Sequence, residues 1–100
     1  MIYITQLIYI NKGQEKIFNQ FEAIAIPTIL KYNGYLLLRI RPNDNSILEC
    51  SIEEPYEIHI VTFNSQKDFD NFKNDKERKS FLHLKEKSIK TSILIQGEKL

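Results

Sequence analysis

The chain has 100 residues, 42% hydrophobic and 27% charged, the make-up of one ordinary globular domain with chain enough for a single modest core. A net charge of +1 excludes any global electrostatic drive toward nucleic acid or an anionic membrane. The lone cysteine, Cys50, cannot close an internal disulfide, which suits a reducing compartment.

Residues 2–10 alternate Ile with Tyr, Thr and Leu and stop at Asn11-Lys12-Gly13, the pattern of a strand ended by a turn. The ten residues MIYITQLIYI are too few to span a bilayer. No basic residues precede them and no small-residue cleavage pattern follows, so a cytoplasmic protein is expected. From Gln14 the period lengthens: Ile17, Phe18, Phe21, Ile24 and Ala25 form the stripe of an amphipathic helix. Pro27 interrupts it, since proline lacks the N–H and crowds the carbonyl four residues back. Residues 14–32 therefore read as one kinked helix, or two collinear ones with Pro27 opening the second. Asn33-Gly34 closes it as a left-handed cap. Residues 35–41 form the next strand, and 47–52 either extend it or make a short edge strand. Residues 56–63 form a third strand. Ser65 with Asp68 resembles a capping box ahead of a helix from Gln66 that turns Phe69 and Phe72 inward. Asn74-Asp75 loosens that helix before a lysine-rich segment, and residues 89–96 form the last strand.

The order β-α-β-β-α-β over residues 1–100 predicts a single α+β domain with the ferredoxin-like fold, a four-stranded antiparallel sheet with helices on one face. Both faces of the strands are apolar. Ile2, Ile4, Ile8 and Ile10 oppose Tyr3, Leu7 and Tyr9; Leu36, Leu38 and Ile40 oppose Tyr35 and Leu37. Helices cover one face only, so the other is expected to pack against the same face of a second copy, giving a homodimer.

Such a chain resembles the dimeric α/β-barrel superfamily. The stretch PTILKYNGYLLLR is similar to the Pro-Thr, Tyr-x-Gly and Arg pattern of a domain-of-unknown-function family within it. EIHIVTFNSQKDFDNF resembles that family's third strand, Phe-x-Ser turn and second helix, and SILIQGE its last strand. The resemblance implies a dimeric α/β barrel similar to antibiotic-biosynthesis monooxygenases, whose wider relatives include haem-degrading enzymes and isomerases. One position departs: Thr62 stands where the family usually carries a glutamate, so no acid–base role is assigned there.

The candidate chemistry centres on Tyr35, Arg39 and His59. By strict alternation Arg39 and Arg41 share one side of their strand with Tyr35 and Leu37. There the guanidinium groups would clamp a substrate carboxylate or enolate, with Tyr35 donating a further hydrogen bond. The plainer alternative pairs Arg39 with a carboxylate such as Glu57 and leaves Arg41 in solvent. His59, in the third strand beside Glu57, is placed for a general base or for a hydrogen bond across the sheet. His83 is the one histidine in a helical position like that of the axial ligand in haem-degrading relatives, but among lysines it reads as surface. No metal-ligand spacing and no glycine-rich phosphate loop occur, and no cofactor is expected. Residues 73–90 hold seven Lys and Arg against three acids, interleaved as on a solvated helix face, without the aromatic platform of a nucleic-acid site. The expected protein is a homodimer that binds an apolar or acidic small molecule, with cofactor-independent monooxygenase-like or isomerase-like chemistry. The alternative is a binding or structural module whose interior is filled by Phe18, Phe21, Phe69 and Phe72.

Overall fold

A computed structural model describes residues 1–100. Strand β1 (Ile2–Ile10) leads into helix α1 (Glu15–Ile29) and a 3-10 turn (Leu30–Tyr32). Strands β2 (Gly34–Ile40) and β3 (Glu57–Phe63) follow, then short helices α2 (Gln66–Lys73), α3 (Lys76–Ser80) and α4 (Leu82–Ser88), and strand β4 (Ile89–Gly97). The antiparallel sheet has the order β2-β3-β1-β4. This is the expected ferredoxin-like α+β fold. The Cα envelope measures 36 × 35 × 16 Å, a slab with helices on one face and a bare sheet on the other.

Helix α1 runs through Pro27 without a second start, so of the two expected arrangements the single helix is the one formed. Pro27 and Ala23 both lie on the exposed side, so the Ala23 carbonyl left without its usual donor faces water. The helix tightens only afterwards, at Leu30. The left-handed residue is Asn33, with φ 58°, and not Gly34. Gly34 is required for another reason: a Cβ there would stand 2.6 Å from the Phe63 ring and 2.7 Å from Ile29. Close approach of β2 to the core thus depends on a missing side chain.

Ser65 caps α2 as its spacing predicted, accepting from the Asp68 amide at 3.1 Å. Asp75 ends one helix and begins the next: its carboxylate accepts from the Arg78 amide at 2.8 Å and from the Tyr32 hydroxyl at 2.7 Å. These bonds hold its carboxyl below the ordinary range. They also tie α3 to the end of α1, which fixes where Arg78 lies. Residues 47–52 form neither an extension of β2 nor an edge strand; residues 41–56 are loop, held by Tyr9 Oη donating to the Glu53 carbonyl at 2.8 Å.

The core lies between sheet and helices, built on Ile4, Ile29, Val61, Phe63 and Phe69. Register puts Ile4 opposite Val61, Gln6 opposite His59 and Ile8 opposite Glu57 on that inner face. The opposite face carries Leu7, Leu38, Ile58, Ile60, Ile93 and Ile95 with no helix over it.

Candidate functional site

The inner and outer faces of β2 are not what unbroken alternation predicts. Leu36 pairs with Val61 and Leu38 with Ile60, so one extra residue, Leu37, is inserted in β2 as a bulge. Everything after it changes side. Arg39 pairs with His59 on the inner, helix-covered face, while Tyr35 pairs with Thr62 on the outer face and is 54% exposed. The expectation that Tyr35 and Arg39 share one side is therefore corrected. Arg39 and His59 are brought together, and Tyr35 is on the other side of the sheet.

Glu57 organises the polar cluster. Its side chain is wholly buried, yet its carboxylate accepts from Arg39 Nε at 2.9 Å and Arg41 Nε at 2.8 Å, and is bonded to His59 Nε2. Burial alone would raise this carboxyl. The bonds from His59, Arg39 and Arg41 outweigh burial and hold it at about 2. Arg41 also donates to Asn19 Oδ1 at 2.6 Å and covers the Tyr56 ring at 5.0 Å. Arg39 thus meets Glu57, as the plainer of the two expected arrangements had it, whereas Arg41, expected in solvent, shares the same carboxylate.

An ionised Glu57 can only accept, so His59 Nε2 carries the hydrogen. Nδ1 has no hydrogen-bond partner within the protein, and the ring lines a cavity on the inner face. The cavity is about 160 Å³ and lies between the inner sheet face, α1 and the short helices. That is comparable with engineered cavities of about 150 Å³ that admit one benzene ring. Its apolar wall includes Ile4, Phe21, Ile29, Val61, Phe69 and Phe72. Its polar wall is His59, Gln6, Glu22, Ser92, Lys73, Arg78 and Lys85, of which Lys73 is paired with Asp70. Phe18 packs elsewhere, edge-on to Tyr56, and the other phenylalanines line the space without filling it.

Glu22 is 7% exposed and makes no hydrogen bond or ion pair with the protein. Burial raises its carboxyl, against the opposing pull of His59, Arg39 and Arg78. Sequence could have found it: Glu22 interrupts the stripe of Phe18, Phe21 and Ala25, just as Gln6 interrupts the isoleucines of β1. Arg78 and Lys85 gave no such signal, because they belong to a run of lysines that reads as solvated.

Other expectations fall outside the cavity. His83 is exposed and stacks on Phe81. Cys50 is exposed in the loop, its Sγ 3.0 Å from the Ile52 carbonyl. Thr62 is turned to the outer face and donates to the Ile2 carbonyl at 2.8 Å, so a glutamate at this position would not face the cavity either. No helix is long and apolar enough to cross a membrane.

No protein-family model matches the chain, and no curated protein matches it in sequence. Solved structures do match in shape. A protein of unknown function from Rhodopseudomonas palustris superposes with a TM-score of 0.84 at 12% identity, covering 99% of this chain and 82% of that one. An uncharacterised NIPSNAP domain protein from Burkholderia xenovorans gives 0.72 at 8% identity, covering 100% and 95%. A candidate antibiotic biosynthesis monooxygenase from Nitrosomonas europaea gives 0.69 at 11% identity, covering 100% and 99%. At these identities the likeness establishes the fold alone, an α+β ferredoxin-like architecture.

Proposed function

We propose that this chain is a homodimeric small-molecule-binding protein that performs proton transfer on a carbon acid in its inner cavity. The observation that carries the reading is the Glu57–His59 pair. A buried, ionised carboxylate fixes the tautomer and orientation of an imidazole whose free Nδ1 belongs to an apolar, ring-sized cavity. His59 Nδ1 takes a proton from a carbon next to a carbonyl, and the electron pair moves onto the carbonyl oxygen as an enolate. Returning the proton to a different carbon completes an isomerisation. With dioxygen as oxidant, the same carbanion supports the monooxygenase-like chemistry suggested by the Nitrosomonas neighbour. Arg39 is a positioning residue here, acting through Glu57.

The second copy is assigned to the outer sheet face. Leu38, Ile40, Ile93 and Ile95 are each 40–55% exposed there, a contiguous apolar surface that a matching face would cover. Tyr35 belongs to that interface. A cytoplasmic setting fits the free, exposed Cys50.

The test is conversion of 3-cyclohexen-1-one to 2-cyclohexen-1-one, followed by ultraviolet absorbance, in which one proton moves from the α to the γ carbon. Catalysis above buffer that falls at least about a hundredfold in His59→Ala is expected of a general base. Equal rates in protein, His59→Ala and buffer would remove the reading.

A further inference from the structure

Two cations of the cavity wall have no carboxylate within ion-pair distance, although Glu22, Asp75 and Glu86 act on them from farther off. Arg78 reaches in from α3 and Lys85 from α4, both half-buried, and neither forms a salt bridge. The Arg78 guanidinium is held face-on by aromatic rings, its Cζ 5.0 Å from the Phe72 centroid and 5.9 Å from that of Phe21. One donor, Nη1, bonds the Lys73 carbonyl at 3.2 Å. Its Nε is buried without any partner, alone in that respect among the buried side-chain polar atoms of the protein, and Nη1 is the one guanidinium nitrogen bonded to a protein acceptor. Nε and Nη2 form the edge whose parallel N–H bonds match two carboxylate oxygens. A buried donor left unmade costs roughly 1–3 kcal/mol, a cost that an acceptor bound at Nε would relieve.

The charge census agrees. The charged groups around the inner face are Arg39, Arg41, Lys73, Arg78 and Lys85 against the carboxylates Glu57 and Glu22; Lys73 is paired with Asp70, and Asp75 and Glu86 act on Arg78 and Lys85 from beyond ion-pair distance. Glu57 is engaged by the two strand arginines, and Glu22 lies beyond ion-pair distance of Arg78 and Lys85. Burial lowers both cavity cations, and bringing an anion between them would reverse that. The remaining wall is aromatic and aliphatic. We infer that the cavity takes a single-ring monocarboxylate, its carboxylate on the Arg78 Nε–Nη2 edge with Lys85 beside it, and its ring against Phe21, Phe69 and Phe72. This deepens the proton-transfer reading by naming the substrate class, and rests on it only for the chemistry that follows binding.

The experiment titrates benzoate, and its neutral isostere benzamide, into ¹⁵N-labelled protein while following the Arg78 Nε–H resonance. Benzoate is expected to shift that resonance and to bind at least about tenfold tighter than benzamide, as one charge-assisted pair requires. Lys85→Met lowers benzoate affinity several-fold and leaves benzamide unchanged, and Lys85→Arg restores it, which separates charge recognition from damage to folding. Arg78→Gln removes the preference. Equal affinity for the two probes, equal loss of both in Lys85→Met, or no saturable benzoate binding overturns the proposal. Benzoate preference without cyclohexenone isomerisation leaves the anion pole standing and removes the base; isomerisation without benzoate preference does the reverse.

Discussion

Glu57 and His59 stand two residues apart on β3, so both side chains enter the helix-covered side of the sheet, where the carboxylate holds the imidazole through Nε2. The carboxylate spends its other contacts on Arg39 and Arg41, and the imidazole ring lines the cavity. One side chain thus links a charged network at the sheet edge to an apolar pocket at its centre.

That linkage predicts acid sensitivity. The Glu57 carboxyl sits at about 2 in the folded chain against an ordinary 4.5. A depressed carboxyl contributes stability that is complete above about 4.5 and is lost as pH falls toward 2. Over that interval about 3 kcal/mol should disappear from the urea-unfolding free energy. Glu57→Gln should be less stable than the wild type by a similar amount at pH 7 and should show a flatter profile below pH 4.5. A wild-type profile as flat as that of the variant would contradict this account of Glu57.

Glu22 predicts the opposite sign. Its carboxyl is raised by burial, so it favours the folded state when protonated and loses stability as pH rises through its folded value. Glu22→Gln keeps the shape and removes the charge. It should stabilise the protein by about 1 kcal/mol at pH 8, with the gain vanishing near pH 4. Thermal unfolding at the two pH values measures the difference directly.

Gly34→Ala tests the packing at the start of β2. The added methyl would meet the Phe63 ring and Ile29 at under 3 Å, and neither can withdraw without opening the core. A loss of about 1–3 kcal/mol is expected, with the denaturant slope unchanged.

The outer face predicts assembly. Size-exclusion chromatography with light scattering should find the wild type as a dimer and Leu38→Glu/Ile60→Glu as a monomer with an unchanged far-ultraviolet circular dichroism spectrum. Tyr35→Ala should weaken the dimer and leave benzoate binding in the cavity unaltered, because Tyr35 and the cavity lie on opposite sides of the sheet.

Local pattern determined most of the architecture. Period two marked β1 and β3, the stripe from Ile17 to Ala25 marked α1, and Ser65 with Asp68 marked the start of α2, since each depends on neighbours within one turn or one strand. The apolar outer face was legible for the same reason. The parity of Arg39 was not. Alternation counts sides correctly only while the ladder is unbroken, and the extra residue at Leu37 is visible only in the pairing of β2 with β3. Arg78 and Lys85 were equally hidden: a run of lysines looks solvated until Asp75, tethered to Tyr32, turns its short helix over the cavity. Sequence decided which residues could be buried; tertiary structure decided which charges were drawn in with them, because that choice belongs to long-range contacts and not to local period.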